Sequence, residues 1–286
     1  MRIQWLADRA GYTATFGPAL RIGSEIDAWL ASKETFDGYC TACRGIRTFK
    51  VFGGAWFGER PNLREGMVCT SCCLSNRQRF ILAAAEETWP SPTPRLLLME
   101  RFSALYPALR GRYRNVVASE FLGPDVAPGA VLERRGERVR HENATNLSFS
   151  DHSLDGIVHN DVLEHIADYR RTFAEAFRAL RPGGVLLFTC PFFAERDVHL
   201  VRAVVQPDAS VRHLEPPELH GDPLSDKGIL AFYHFGWSLL TELADAGFAD
   251  ARAGMVYEPL LGLPASGHPD LRETMLPTVF RAAKPA

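Results

Sequence analysis

Two pairs of cysteines constrain this chain more than any other feature: Cys40 and Cys43, then Cys69 and Cys72, each pair enclosing two residues and the pairs separated by 25. The spacing C-x2-C-x25-C-x2-C lets each pair present two thiolates to one tetrahedral ion at Zn–S distances of about 2.3 Å. Cys73 adjoins the second pair and makes a C-x3-C register acceptable too, although pairing through Cys72 keeps the two halves alike. Of the six cysteines, five fall between Cys40 and Cys73. In a reducing compartment such clustering points to a metal rather than to disulfides. The start, MRIQWLADRA, lacks the apolar run of a secretory signal, and no stretch of about 18 apolar residues is available to span a bilayer. A cytoplasmic location is therefore expected, with Zn2+ in a structural role, because four thiolates leave no open position for water or substrate.

A chain of 286 residues, 46% hydrophobic and with a formal charge of −2, suffices for one α/β domain and a small appendage. The charge balance argues against a large nucleic-acid footprint and favours a small-molecule partner. Residues 1–36 read as helical, with Ser24 and Glu25 opening a periodic stretch through Ile26, Trp29 and Leu30. Residues 37–87 hold the cysteines. An alternating aromatic run there, broken at Gly53-Gly54, reads as a hairpin held between the two cysteine pairs. The proline-rich TWPSPTPR, residues 88–95, reads as a linker.

Residues 96–286 then alternate between apolar runs and helical patterns. Strands are expected at Arg95 to Met99, Asn115 to Glu120, Leu154 to Asp161 and Gly183 to Phe193, with two more in GFADARAGMVYE and PTVFRAAKP. The helix from Tyr169 to Leu180 places Phe173, Phe177 and Leu180 on one stripe and stops at Arg181-Pro182-Gly183. Strands separated by helices predict a mostly parallel sheet covered on both faces. In such a sheet ligands sit beyond the carboxyl ends of the strands, where strand order reverses. Glu120, ending the second strand, has the two acceptor oxygens a ribose diol requires.

The stretch from His141 to Phe193 resembles the class I S-adenosylmethionine (SAM) methyltransferases. It follows their order of D-A-x-x-L-P-F, S-F-D-x-V, V-L-E-H, a helix, then L-R-P-G-G and a strand. The resemblance implies a Rossmann-like, seven-stranded α/β sheet with SAM at the strand ends. It implies Glu100, Arg101, Ser103, Glu120, Asn143, Ala144, Thr145 and Asn160 as cofactor-binding residues. Asn143 stands where the family usually has an aspartate beside the adenine amino group, and its amide oxygen is expected to accept that bond. The first loop, MERFSALYPALR, departs from the family in having no glycine before Gly111. The tail from Leu219 to Phe248 is similar to a subgroup of zinc-knuckle methyltransferases often encoded beside carbohydrate and secondary-metabolite genes.

Methyl transfer is a displacement on a sulfonium, so positioning can supply on the order of 7–11 kcal/mol and a base is needed only if the acceptor must lose a proton. His159, Asp161, His165 and His220 are the candidates, His220 lying in an insertion of about residues 194–236 expected to close over the acceptor. The acceptor is expected to be a sugar or secondary-metabolite intermediate, methylated at oxygen or nitrogen. Three alternatives stay open. One is an RNA methyltransferase whose knuckle grips RNA through Arg44, Arg47, Lys50, Arg60, Arg64, Arg77 and Arg79. The others are a SAM-using enzyme of different chemistry, and an interaction module that no longer binds SAM.

Overall fold

A computed structural model describes all residues except 52–55, 58–59 and 267–273, together with the side chains of 56, 57, 60 and 61. The Gly53-Gly54 turn and the Arg60 side chain thus lie outside the described residues.

The chain opens with strand β1 (Gln4–Leu6) and a long helix α1 (Arg9–Ala31). Asp8 caps α1 by accepting a hydrogen bond from Gly11 N at 2.8 Å. Ser24, expected to open a helix, lies in its interior, and Ile26 and Trp29 are exposed. The cysteine region follows, with β2 (Thr35–Cys40), β3 (Gly45–Lys50) and β4 (Val68–Cys69) forming one small antiparallel sheet. The hairpin differs from expectation: β2 pairs directly with β3, so the first cysteine pair sits on the hairpin turn itself. Helix α2 (Asn76–Thr88) comes next, started by a capping box between Ser75 and Gln78.

The remaining chain supplies β5 (Arg95–Leu98), α3 (Leu105–Arg110), β6 (Asn115–Glu120), β7 (Val131–Arg134), β8 (Glu137–His141) and β9 (Leu154–Asn160). Then come α4 (Tyr169–Ala179), β10 (Leu180–Thr189), the hairpin β11 (Leu219–Asp222) and β12 (Ser225–Leu230), α5 (Ser238–Asp245), β13 (Ala249–Met255) and β14 (Thr278–Ala283). The main sheet has nine strands in the order β1-β13-β14-β10-β9-β5-β6-β8-β7. Its centre, β8-β6-β5-β9-β10, is parallel, while β14 runs antiparallel to both β10 and β13. The seven strands expected from the resemblance are present, extended by β1 at one edge and β7 at the other.

Strand periodicity explains why helices cover both faces. Leu97 points into a core shared with Tyr12, Phe16 and Leu20 of α1, Phe173 of α4 and Leu243 of α5. Its neighbours Leu96 and Leu98 point into the opposite core with Phe80, Ile81 and Ala84 of α2 and Leu105 and Leu109 of α3. Two expected boundaries shift accordingly. Residues 1–36 are not a separate helical piece, because β1 completes the sheet edge against β13. Helix α2 belongs to the sheet's helical layer rather than to the cysteine region. That region keeps its own small core of Phe49, Val51, Leu63 and Met67, into which Leu30 at the far end of α1 also packs.

Candidate functional site

The chain runs outward from β5 through β6 to β8, then returns to β9 on the other side of β5. Strand order thus reverses between β5 and β9, and a cavity of about 1710 Å³ opens at their carboxyl ends. Seven of the eight expected cofactor-binding residues line it: Glu100, Ser103, Glu120, Asn143, Ala144, Thr145 and Asn160. Arg101 does not. Its guanidinium pairs with Glu137 and stacks 4.3 Å over the Tyr106 ring, which leaves only its backbone near the cavity.

The glycine-free loop after β5 is tied to β6 through Glu120. Its Oε1 accepts hydrogen bonds from Arg101 N at 2.8 Å and Phe102 N at 3.1 Å, leaving Oε2 for a ligand. No residue from Met99 to Gly111 has a positive φ, so the turn places no demand on glycine. Burial pushes the Glu120 carboxyl up, opposed by those two amides and reinforced by Glu100. Asn143 Oδ1 accepts from Thr145 N at 3.0 Å and Thr145 Oγ1 at 2.9 Å. Both lone pairs of the oxygen expected to meet an adenine amino group are therefore engaged, and the amide nitrogen is the group left for a ligand.

Among the four candidates for proton transfer, His159 and Asp161 are not brought to a reactive position. His159 is fully buried and stacked on Phe188 at 4.8 Å; neither ring nitrogen has a hydrogen-bond partner, and it does not line the cavity. Burial pushes it down to about 3. It is a packing residue inside β9. Asp161 lines the cavity but is held in a bidentate pair, 2.8 Å from both Nη1 and Nη2 of Arg64, with Arg77 Nε at 3.3 Å. Burial alone would raise its proton affinity, but the two guanidiniums reverse this and hold the carboxyl well below the usual carboxylate range, too acidic for a base.

His165 and His220 are brought together on the other side of the cavity, their rings 5.0 Å apart. His165 follows β9 in a short 3-10 turn and contacts the carbonyl of Leu230 through Nδ1 at 2.9 Å. His220 sits on the β11–β12 hairpin, with Nε2 2.9 Å from Glu218 Oε1. Glu164 lies beneath both with no exposed side-chain surface. Glu218 is held in turn by His234 at 3.0 Å and Arg202 at 3.3 Å. Burial works against a charge on His220, but Glu164 and Glu218 outweigh it and raise its pKa to about 10.

Sequence reasoning gave Glu164 and Glu218 no role and counted Arg64, Arg77 and Arg79 as surface charge. They are not a basic face. Arg64 of the cysteine region and Arg77 of α2 both pair with Asp161, and Arg77 also meets Glu65 at 2.8 Å. Arg79 is fully buried, donating to the carbonyls of Leu74 at 2.8 Å and Gly262 at 2.6 Å. A signal existed: Arg79 shares the apolar-periodic stretch of α2 with Phe80, Ile81 and Leu82, and Glu218 precedes His220 by two residues, the spacing of one strand face.

In the cysteine region the four expected sulfurs converge. Cys40 and Cys72 are 3.8 Å apart, Cys43 and Cys69 3.9 Å, and all four lie within 4.8 Å of one another. A tetrahedron with bonds of about 2.3 Å has edges of about 3.8 Å, so the donor set fits one zinc ion. Arg44 and Cys73, each just after a pair, adopt φ of 55° and 60°. Cys73 is thus the turn residue matching Arg44 and is exposed, which resolves the register in favour of Cys72. The buried Arg79 guanidinium offers positive charge beside the thiolates.

Residues 107–188 match the sequence profile described as "Methyltransferase domain". Two curated relatives align over part of the chain. A "Probable S-adenosylmethionine-dependent methyltransferase" of Mycolicibacterium smegmatis is 39% identical over 80 residues, 27% of this chain and 30% of its own. The malonyl-[acyl-carrier protein] O-methyltransferase 1 of Coxiella burnetii is 33% identical over 81 residues, 28% of this chain and 27% of its own. The match thus spans less than a third of either relative. Among solved structures, a 1,6-didemethyltoxoflavin-N1-methyltransferase of Burkholderia thailandensis aligns over 73% of this chain and 79% of its own, with 20% identity and a TM-score of 0.40. No described helix is long and apolar enough to cross a membrane.

Proposed function

We propose that this chain is a SAM-dependent methyltransferase that modifies a small molecule, a sugar or biosynthetic intermediate, at oxygen or nitrogen, and that Cys40, Cys43, Cys69 and Cys72 hold one structural zinc. The observation that carries the reading is the cavity at the strand-order reversal, one half of which is built from the residues that the resemblance assigns to SAM. At about 1710 Å³ it exceeds the roughly 300–1,000 Å³ of a pocket for one small ligand, leaving space for a cofactor and an acceptor together.

Bound SAM supplies an activated methyl group. The chain's own part is to bind and orient: Glu120 Oε2 accepts from the ribose diol, Ser103 and Glu100 border the amino-acid portion, and Asn143 borders the base. The β11–β12 hairpin lines the other half. An acceptor O–H or N–H that must lose its proton meets His165 and His220 there, with Glu164 behind them, whereas His159 and Asp161 take no part. Burial of Arg64 and Arg79 and the pairing of Arg77 with Glu65 and Asp161 remove three of the cations an RNA-gripping knuckle would use, which favours the small acceptor. The test is calorimetric titration with SAM and S-adenosylhomocysteine: both should bind the wild type and bind Glu120→Ala much more weakly. Absence of binding to either would sink the reading.

A further inference from the structure

Glu164 has a side chain with no exposed surface, yet neither of its oxygens makes a hydrogen bond. A buried carboxylate without partners is costly, on the order of several kcal/mol. The nearest nitrogens stand off from Oε1 at 3.4 Å (His220 Nδ1) and 3.6 Å (His165 Nε2). Those separations exceed the roughly 2.7–3.2 Å of an N–H···O bond. They match the edge of a tetrahedron with bonds of about 2.1 Å, close to 3.4 Å, which is how ligands of one zinc-like ion are spaced.

The far sides of both imidazoles strengthen this match. His165 Nδ1 is 2.9 Å from the carbonyl of Leu230, so it carries the proton and Nε2 keeps a lone pair toward Glu164. His220 Nε2 is 2.9 Å from Glu218 Oε1, so Nε2 keeps a proton toward that carboxylate and Nδ1, on losing its own, turns a lone pair toward Glu164. Metal-bound histidines have this arrangement, the non-ligating nitrogen donating to a carbonyl or carboxylate that fixes the ring. Glu218 is itself held by His234 and Arg202, so the support extends a further layer outward. The ligand atoms of all three residues lie within 4.8 Å of one another.

We propose that Glu164, His165 and His220 form a second metal site, separate from the cysteines, that holds a divalent transition ion such as zinc on the acceptor side of the cavity. Two imidazoles and one carboxylate suit zinc and its first-row neighbours rather than magnesium or calcium. Three protein ligands leave a position open, and His165 and His220 both line the cavity, so an oxygen of the acceptor is the class of group that would complete the shell. The role toward an acceptor rests on the methyltransferase reading; metal binding does not.

The experiment is metal analysis of full-length protein loaded with Zn2+ and then desalted, comparing wild type with His220→Ala. His220 is on the hairpin with 28% of its side chain exposed, so its removal should leave the fold intact. The wild type should retain about two equivalents and the variant about one, following the one-site loss. Glu164→Gln, which keeps the shape and removes the anionic ligand, should behave alike and stands in if the first variant misfolds. Loading with Co2+ gives a second readout: the ion lost from the variant should show weak visible bands without thiolate charge-transfer absorption. Equal metal retention in wild type and both variants would overturn the proposal and leave a metal-free Glu164–His220–Glu218 network. SAM binding, titrated on the same samples, separates this outcome from failure of the methyltransferase reading.

Discussion

The cysteine cluster and the Glu164–His165–His220 cluster have similar size but opposite origins. The first is assembled from two local turns, each supplying a C-x2-C pair and ending in a residue with φ near 55–60°, so its donors are announced by spacing. The second joins the 3-10 turn after β9 to a hairpin 55 residues later, Glu164–His165 against His220, and nothing in local spacing brings them together. Spacing marks a site when the chain makes it within one turn. When strands and insertions make it, the signature is lost. The two regions are not independent, since Arg64 and Arg77 reach from beside the cysteines to Asp161, directly after β9.

The sharpest test removes a donor from the first region. Cys69→Ser should lose the proposed structural zinc and, with it, much of a binding free energy of roughly 10 kcal/mol or more. Thermal melting and metal content should then show the cysteine region unfolding while the main sheet keeps its helical and strand signal. Full retention of metal and melting temperature would break the comparison. Next in size is the tie between the regions. Arg64→Ala leaves Asp161 buried beside fewer countercharges and should cost about 3–5 kcal/mol in denaturant unfolding. Pairing it with Asp161→Asn should recover part of that loss, because no unpaired carboxylate remains.

Glu120→Ala should weaken SAM by about 10- to 100-fold, the equivalent of losing a charge-assisted hydrogen-bond pair of roughly 1.5–3 kcal/mol. Because burial raises the Glu120 carboxyl, SAM affinity in the wild type should fall on acidification earlier than an ordinary glutamate would dictate. Glu120→Gln should bind weakly and flatten that pH dependence, as followed by calorimetry.

The smallest effect concerns Asp27 in α1, the helix whose residues reach the Leu97 core at one end and the cysteine region's core at the other. Burial pushes Asp27 up to about 7, outweighing its hydrogen bond from Tyr257. Its folded-state pKa lies above the unfolded value of about 3.9. The stabilisation tied to its proton is therefore complete below about pH 4 and is lost as pH rises through about 7. Asp27→Asn should remove that slope, raising stability at neutral pH relative to wild type and changing it little at pH 4, as read from melting curves at the two pH values.

Legibility in the sequence followed the range of the interactions. The parallel strands were visible because Leu96 to Leu98 and Ile157 to Val158 are apolar at every position, as strands covered on both faces must be. Seven of the expected cofactor residues reach one cavity because each ends a strand or follows one, and strand ends are read from local pattern. His159 was misplaced by the same logic taken one residue too far. It still belongs to β9 and packs on Phe188, and side-chain direction alternates along a strand. Arg64, Arg77 and Arg79 were misread because charge in a sequence reads as surface. Their partners include nearby groups such as Glu65 and the Leu74 carbonyl, but Asp161 and the Gly262 carbonyl, which complete the pairing, are distant along the chain.

By itself, then, the sequence determined what local geometry controls: four converging cysteines, a doubly covered sheet, and acidic and amide side chains at strand ends. The tertiary structure alone decided which groups face one another across the cavity. It locked Asp161 to Arg64, sent Arg101 away to Glu137, and set Glu164 beneath His165 and His220. The physical reason is that ion pairing and ligand geometry depend on distances of a few ångströms between segments far apart in the chain, and composition and periodicity carry no record of those distances.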